Sequence, residues 1–388
     1  MGTLREAVIV SAVRTPMGRA LKGNYINVRA DDLGAIVVKE AVARIKNLDP
    51  KEIEDLIVGC AMPEGEQGMN VAKNIGFLAG LPNSVAAVTV NRFCSSSLQT
   101  IFDAARAIMV GDGDVIVAAG VESMSHVPMG GFNPSLNPEL MKPGRPDAYI
   151  SMGITAENVA AKYNVSRADM DAFALRSHQN ALAAQEKGYF AKEITPVFVT
   201  DANGKTKEIK IDEGPRAETT LERLSSLKPA FKQDGSVTAG NSSPLTDGAA
   251  ALVLMSAEKA KALNIKPLAR IVTMAVSGCD PEIMGIGPIP AIQKLLKRAG
   301  KTVKDIDFFE INEAFASQAL AVVRELGIDV NKVNPHGGAI ALGHPLGATG
   351  ARIMTTLLND LAIYDKKWGV ESMCVGGGQG AACLIERL

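Results

Sequence analysis

Short, near-continuous apolar runs alternate along the chain with longer stretches whose apolar positions recur every three or four residues. Residues 7–13 and 56–60 read as strands, and residues 32–45 between them as a helix. Residues 115–119, Val-Ile-Val-Ala-Ala, read as a buried strand. Strands apolar on both faces, alternating with helices, predict α/β layers in which helices cover both sheet faces.

The pattern also repeats on a large scale. Lys51-Glu-Ile-Glu-Asp-Leu-Ile-Val58 matches Lys304-Asp-Ile-Asp-Phe-Phe-Glu-Ile311 in its alternation, and Val121-Glu-Ser-Met124 recurs as Val370-Glu-Ser-Met373. Both pairs sit at nearly one offset, about 250 residues, which favours duplication of a half over a short-period solenoid. Between the copies, a Met-, Gly- and Pro-rich stretch at 124–148 predicts an irregular loop. Residues 151–163 and 166–187 then read as helices, the second capped by Ser166 with Asp169 three residues on, and residues 205–211 read as an edge strand. The expected organisation is one half at residues 1–119 plus about 247–268, an inserted loop domain at 120–246, and a second half at 269–388.

Composition excludes more than it selects. A chain of 388 residues holds two or three domains at the usual ~100–200 residues each. The formal net charge is −1, with no basic stripe for nucleic acid and no charged tail for a membrane surface. An anionic ligand must therefore be met by local groups. The cysteines Cys60, Cys94, Cys279, Cys374 and Cys383 form no CxxC pair and no Cys/His cluster of metal-binding spacing, so no metal is expected. Few, scattered cysteines in a large chain fit a reducing compartment. No secretory signal is read, and no apolar run approaches the ~18 residues of a membrane span. Met1-Gly2 resembles a myristoylation start, but Glu6 stands where Ser or Thr is required. The expectation is a cytoplasmic protein.

Four segments can carry chemistry. In Val88-Thr-Val-Asn-Arg-Phe-Cys94-Ser-Ser-Ser97 a strand ends, a sharp turn follows, and a helix is predicted over 98–110. Cys94 would then lie near a helix N-terminus, where free N–H groups favour a thiolate. Taken alone, a Cys in that setting reads first as a small buried hydrophobe. In Asn334-Pro-His336-Gly-Gly-Ala-Ile-Ala-Leu-Gly343-His344-Pro345, glycines permit close backbone approach and His344 is held between Gly343 and Pro345. His336 reads as a supporting residue. Cys374-Val-Gly-Gly-Gly-Gln-Gly380 sets a second Cys before a glycine run, which serves as an oxyanion hole, a phosphate loop or a plain turn. The run lacks the GxGxxG spacing and the Lys of a P-loop. Asn312, in Phe308-Phe-Glu-Ile-Asn312-Glu-Ala-Phe-Ala316, reads as a helix cap or as an active-site donor.

Together, and in this order, the four segments resemble the signature segments of thiolases. The similarity extends from Arg14-Thr-Pro to the C-terminus and includes Thr238-Ala-Gly-Asn-Ser242, Asp247-Gly-Ala-Ala250 and Gly278-Cys-Asp-Pro-Glu-Ile-Met-Gly-Ile-Gly-Pro288. The resemblance is closest to the degradative members that serve fatty-acid β-oxidation. It implies a five-layered αβαβα fold of two similar halves plus a loop domain. It also implies thiolytic cleavage of 3-ketoacyl-CoA by coenzyme A, to acetyl-CoA and a shortened acyl-CoA. Cys94 would attack the 3-keto carbon and carry the acyl group, with His344 taking its proton. Cys374 would protonate the acetyl-CoA enolate. The residue matching Asn312 holds, with the one matching His344, a water that stabilises the enolate oxygen. The N–H groups of Cys94 and Gly376 would form a second oxyanion hole. Carbon–carbon cleavage needs a covalent acyl acceptor and preorganised donors for the oxyanions, which is the physical reason for each part.

Ser243 matches a position that contacts the pantetheine arm, and Arg216 a basic position near the nucleotide. Coenzyme A is then a substrate, and neither a metal nor a redox cofactor is expected. Ser97 stands where many members have Gly, and Pro244 is an unusual neighbour for Ser243. Ser151 precedes Met152-Gly153 where short-chain biosynthetic members often carry His, which leans toward broader acyl chains. Family members are commonly dimers or tetramers, and some join a multifunctional β-oxidation partner. The alternatives are a biosynthetic acetyl-CoA acetyltransferase and a non-catalytic acyl-CoA-binding paralogue. Ketoacyl-carrier-protein synthases share the fold but generally have His in the role of Cys374.

Overall fold

The computed structural model describes residues 4–201 and 203–388; Met1-Gly2 lies outside the described residues. The first part of the chain forms β1 (Ala7–Arg14), a two-residue β2 (Gly18–Arg19), α1 (Ala30–Ala43), β3 (Asp55–Gly59), α2 (Val71–Leu78), β4 (Ala86–Val90), α3 (Ser96–Val110) and β5 (Val115–Ser123). Then follow α4 (Met152–Lys162), α5 (Arg167–Glu186), a hairpin of β6 (Val197–Thr200) and β7 (Thr206–Ile209), and α6 (Leu221–Ser225). The last part holds β8 (Thr246–Ser256), α7 (Ala257–Ala262), β9 (Ala269–Gly278), α8 (Pro288–Ala299), β10 (Phe308–Ile311), α9 (Ala316–Leu326), α10 (Ala339–Leu342), α11 (Thr349–Ile363), β11 (Trp368–Val375) and β12 (Gln379–Arg387).

The expected elements are present with ends shifted by a few residues. The helix after Cys94 begins at Ser96, and the Ser166 cap is a reciprocal capping box with Asp169. β5 runs unbroken to Ser123 and β8 starts at Thr246, so the chain leaves the sheet after residue 123 and rejoins it at 246.

Duplication is written into the sheet. One half has the order β4-β3-β5-β8-β1, in which β3 is parallel to β4 and β5, while β8 is antiparallel to β5 and β1. The other has β10-β11-β12-β9 with the corresponding directions, and Val333 bridges Phe309 in parallel where β4 stands in the first half. The matched segments fall on equivalent strands. Each copy of Lys-x-Ile begins in a short 3-10 turn leading into β3 or β10, and each Val-Glu-Ser lies in β5 or β11. The halves join where β1 meets β9, through the pairs Val8↔Arg270 and Ile9↔Ala269.

Strand alternation sorts the side chains into layers. Val8, Leu56, Val58, Val117 and Val253 point outward to pack on α1 and α2. Ile9, Ile57, Ala118 and Leu252 point inward onto α3 and α11, which also receive Ile271, Met373, Cys383 and Ile385 from the other half. Phe309, Ile311, Val370 and Leu384 cover α8 and α9. The sequence of layers is therefore helices, sheet, helices, sheet, helices.

The inserted region is bolted to this core by Arg14. Its guanidinium is fully buried and bonds Glu193 Oε1 at 2.7 Å and both oxygens of Asp212 at 2.6 and 2.9 Å. The two carboxylates raise its pKa further against the effect of burial.

The central helices cross at their first turns. A Cβ on Gly350 would fall 2.2 Å from the Leu98 nitrogen, and one on Gly120 would fall 2.4 Å from Ser97 Cβ. Ser97 Oγ accepts the Ala351 N–H at 2.9 Å, so the serine at this position ties α3 to α11. Gly350→Ala should therefore destabilise the fold by about 1–3 kcal/mol, the usual range for overpacking, measured by denaturant unfolding.

Candidate active site

Cys94 is set by a strained turn. Phe93, just before it, adopts φ +43°, a left-handed conformation that costs a bulky residue about 1–3 kcal/mol. Asn91 supports the turn: its Oδ1 accepts the Phe93 N–H at 2.7 Å and its Nδ2 donates to the Ala61 carbonyl at 2.9 Å. Arg92 reaches across to the other half, donating to Gln379 Oε1 at 3.0 Å. Cys94 thus sits at the N-terminus of α3. Burial pushes its thiol up to about 11, while the N–H groups of Gly376 and of Cys94 itself pull the other way.

His344 stands before the first turn of α11 and is likewise buried. The Thr349 hydroxyl donates to the Pro345 carbonyl at 2.8 Å. A hydroxyl has one proton, so at 2.6 Å from His344 Nδ1 its oxygen must accept. That fixes the Nδ1–H tautomer and makes the Nε2 lone pair the acceptor. Asn312 Nδ2 lies 3.3 Å from Nε2, and Asn312 Oδ1 has no partner among the described residues. The His344 N–H donates to Thr246 Oγ1 at 3.1 Å, which anchors the loop. Burial, and then Arg352, push the imidazole down to about 3. The resting pair is therefore thiol and neutral imidazole.

Cys374 is the last residue but one of β11, is fully buried, and has its thiol pushed well up by burial and then by the neighbouring Cys94. Glu313, next to Asn312, is a buried carboxylate accepting Ser177 Oγ at 2.6 Å, Asn334 Nδ2 at 2.8 Å and the Ile340 N–H at 3.2 Å. It pins the Asn312 loop to the segment leading to His344.

One cavity of about 170 Å³ opens onto Cys94 and His344; Asn312, Cys374 and Gly376 are not part of its lining but adjoin these two, Asn312 at His344 and the others at Cys94. Cys94, His344, Ser243 and Ser151 line it, with an apolar wall that includes Met124, Met129, Met152, Phe231, Met284 and Leu346. The N-termini of α3 and α11 both end here, so their dipoles and free N–H groups favour negative charge at one place. Such a site can form a covalent adduct on Cys94, move protons through His344 and Cys374, and hold an oxyanion.

Arg216 lies apart from it, as does His336, which the sequence marks only as a supporting residue. Arg216 is half-buried outside the cavity lining, its N–H on His178 Nδ1 at 3.3 Å and its pKa lowered by burial and by Arg19. His336 is packed among Tyr189, Phe190 and Tyr364, with Nδ1 2.5 Å from Asp360, and burial lowers its pKa to about 4. Thr349, Thr246, Asn91 and Glu313 escaped the sequence reading; only their nearness to the motif residues pointed to them. Among the described residues no cluster of three His, Cys, Asp or Glu is arranged to hold a metal, and no helix is long and apolar enough to cross a membrane.

Thr349→Val keeps the shape but removes the acceptor for Nδ1–H. It should lower kcat by about tenfold to a hundredfold, the scale of a misplaced catalytic group, and Thr349→Ser should restore most of it.

Comparison with known proteins places the geometry in context. The family descriptions "Thiolase, N-terminal domain" and "Thiolase, C-terminal domain" match residues 7–258 and 265–387. The chain is 54% identical to 3-ketoacyl-CoA thiolase of Bacillus subtilis (strain 168), over 99% of this chain and 100% of that protein. It is 51% identical to 3-ketoacyl-CoA thiolase of Serratia proteamaculans (strain 568), again over 99% and 100%. Among solved structures, it resembles human mitochondrial 3-ketoacyl-CoA thiolase with a TM-score of 0.92 at 40% identity. It also resembles Bacillus anthracis acetyl-CoA acetyltransferase with a TM-score of 0.93 at 42% identity, and each match covers 100% of both chains.

Proposed function

The chain belongs to the thiolase family, and on that premise we propose that Cys94, His344, Asn312, Cys374 and Gly376 carry out thiolytic cleavage of 3-ketoacyl-CoA by coenzyme A. The enzyme is an acyltransferase. The observation that carries the residue assignment is the convergence of Cys94 and His344, one from each half, on a single cavity at two helix N-termini.

The resting thiol and imidazole set the order of events. Proton transfer alone is unfavourable, because burial opposes both the thiolate and the imidazolium. The transfer is therefore coupled to attack: Cys94 Sγ bonds the 3-keto carbon as its proton passes to His344 Nε2, and the charge on the former carbonyl oxygen offsets the imidazolium. Collapse breaks the bond between carbons 2 and 3, leaving an acyl thioester on Cys94 and the enolate of acetyl-CoA. Asn312 and His344 stabilise the enolate oxygen, and the Cys374 thiol delivers a proton to carbon 2. The Cys374 thiolate then takes the proton of an incoming coenzyme A. The new thiolate attacks the acyl carbon, the N–H groups of Cys94 and Gly376 hold the oxyanion, and its collapse breaks the bond to Cys94 Sγ, which takes its proton back from His344 Nε2 as acyl-CoA leaves.

Ser243 contacts the pantetheine arm from the cavity wall, and Arg216, farther out, meets the phosphates. Flexible methionines in the wall suit acyl chains of several lengths, in keeping with the names of the relatives at 50% identity and above. The likeness to an acetyl-CoA acetyltransferase supports a second reading, condensation to acetoacetyl-CoA.

The assembly is a homo-oligomer. β4 ends the sheet order, and Met69, Phe77, Leu78 and Val88 on and beside it are exposed, a face suited to a second copy.

Coenzyme A-dependent loss of 3-ketoacyl-CoA should be measured over short, medium and long chains. Turnover across that range, abolished in Cys94→Ala, is expected; activity confined to acetoacetyl-CoA would favour the second reading, and a fully active Cys94→Ala would refute the assignment. Val88→Lys should shift the protein toward monomer in analytical ultracentrifugation.

A further inference from the structure

Glu122 takes no part in these steps, yet it is fully buried and none of its hydrogen-bond partners is a cation. Oε2 accepts the N–H groups of Gly347 at 2.7 Å and Ala61 at 2.8 Å. Oε1 accepts Gln67 Nε2 at 2.8 Å and the Met62 N–H at 3.3 Å. Donors on both oxygens suit a carboxylate and leave no place for an amide NH2.

Each arm of this cluster reaches the reacting groups. Ala61 and Leu346, the latter adjoining Gly347, pack with Cys94 in one apolar cluster. The Ala61 carbonyl accepts Asn91 Nδ2, and Asn91 Oδ1 holds the Phe93 N–H directly before Cys94. Gly347 lies in the loop that carries His344; a Cβ there would fall 2.8 Å from Glu122 Oε2 and 2.7 Å from Cys60 Cα.

We infer that Glu122 is a positioning residue: its carboxylate clamps the Cys94 turn and the His344 loop to one point. The inference rests on Cys94 being the nucleophile. The titratable groups facing Cys94 are Glu122 from β5, Cys374 from the end of β11 and His344 from the loop before α11; Cys60, after β3, faces Glu122. Burial dominates the upward shift of the Cys94 thiol, and Glu122 adds a smaller push in the same direction.

Iodoacetamide alkylation of Cys94, followed by peptide mass spectrometry across pH, reads the thiol without turnover. Glu122→Gln removes a charge whose push is small beside burial, so the alkylation midpoint should stay close to the wild-type value. Glu122→Asp keeps the charge but shortens the reach, so its midpoint should stay at the wild-type value. Both should lose kcat by about tenfold or more with little change in the KM for coenzyme A. A midpoint falling in both variants would trace the lost kcat to water entering a loosened site and overturn the positioning role. Wild-type kcat in both would overturn the positioning role. If the Gln variant does not fold, Asn91→Ala breaks the same relay without touching the charge; it should lose kcat at an unchanged midpoint, and full kcat there and in Glu122→Asp would overturn the inference. Activity surviving in Cys94→Ala would instead sink the nucleophile reading, so the two failures are distinguishable.

Discussion

Everything about the site follows from how closely the two central helices approach. At Gly350 the backbone of α11 comes so near Leu98 of α3 that no side chain fits between them. One helix belongs to each half of the duplicated core, and each begins with a loop that carries a reactive group. Bringing their first turns into contact sets Cys94 and His344 on a common cavity and aligns two sets of unpaired N–H groups there. The crossing is made specific by small residues, Gly120 and Gly350, and by the Ser97 hydroxyl that accepts the Ala351 N–H. A duplicated fold thereby becomes one asymmetric site, because the two copies contribute different chemistry to the same spot.

The site is electrically quiet at rest. Burial keeps both thiols protonated and the imidazole neutral, so charge appears only as bonds change. The permanent charges nearby are neutralised in different ways. Glu122 is surrounded by N–H donors, whereas Arg14 is matched by two carboxylates. Reactive groups held neutral in a buried pocket are sensitive to small displacements of the dipoles around them, which gives hydroxyls such as Thr349 a part in placing the residues that react.

Much of this was legible in the sequence because its signals are local. Near-continuous apolar runs mark the strands, and glycines and prolines around His344 and glycines after Cys374 mark backbone that must turn sharply or approach closely. The duplication was visible because Val-Glu-Ser-Met recurs on equivalent strands. What stayed hidden depends on partners distant in sequence. The same tetrapeptide gives the Glu122 carboxylate a cage of mostly backbone donors, while the Glu371 carboxylate has no hydrogen-bond partner among the described residues and lies near the Arg352 charge. Arg14 belongs to a residue type that is mostly exposed, and only Glu193 and Asp212, both in the insertion, explain its burial. The role of Thr349 hinges on which way one proton points. The distance of Arg216 from the cavity wall could not be read from a motif that says nothing of loop path.

The Arg14 bolt also bears on motion. Glu193 and Asp212 lie at separate points of the inserted region, and both are held by one guanidinium sealed in the core. Swinging that region away would strand a buried cation and two carboxylates together, a cost of several kcal/mol per ion. The insertion is thus a fixed wall that travels with the sheet. Plasticity for substrates of different length must then reside in side-chain rotamers, and the ordering entropy of binding falls on a few methionines, with the backbone already in place before any ligand arrives.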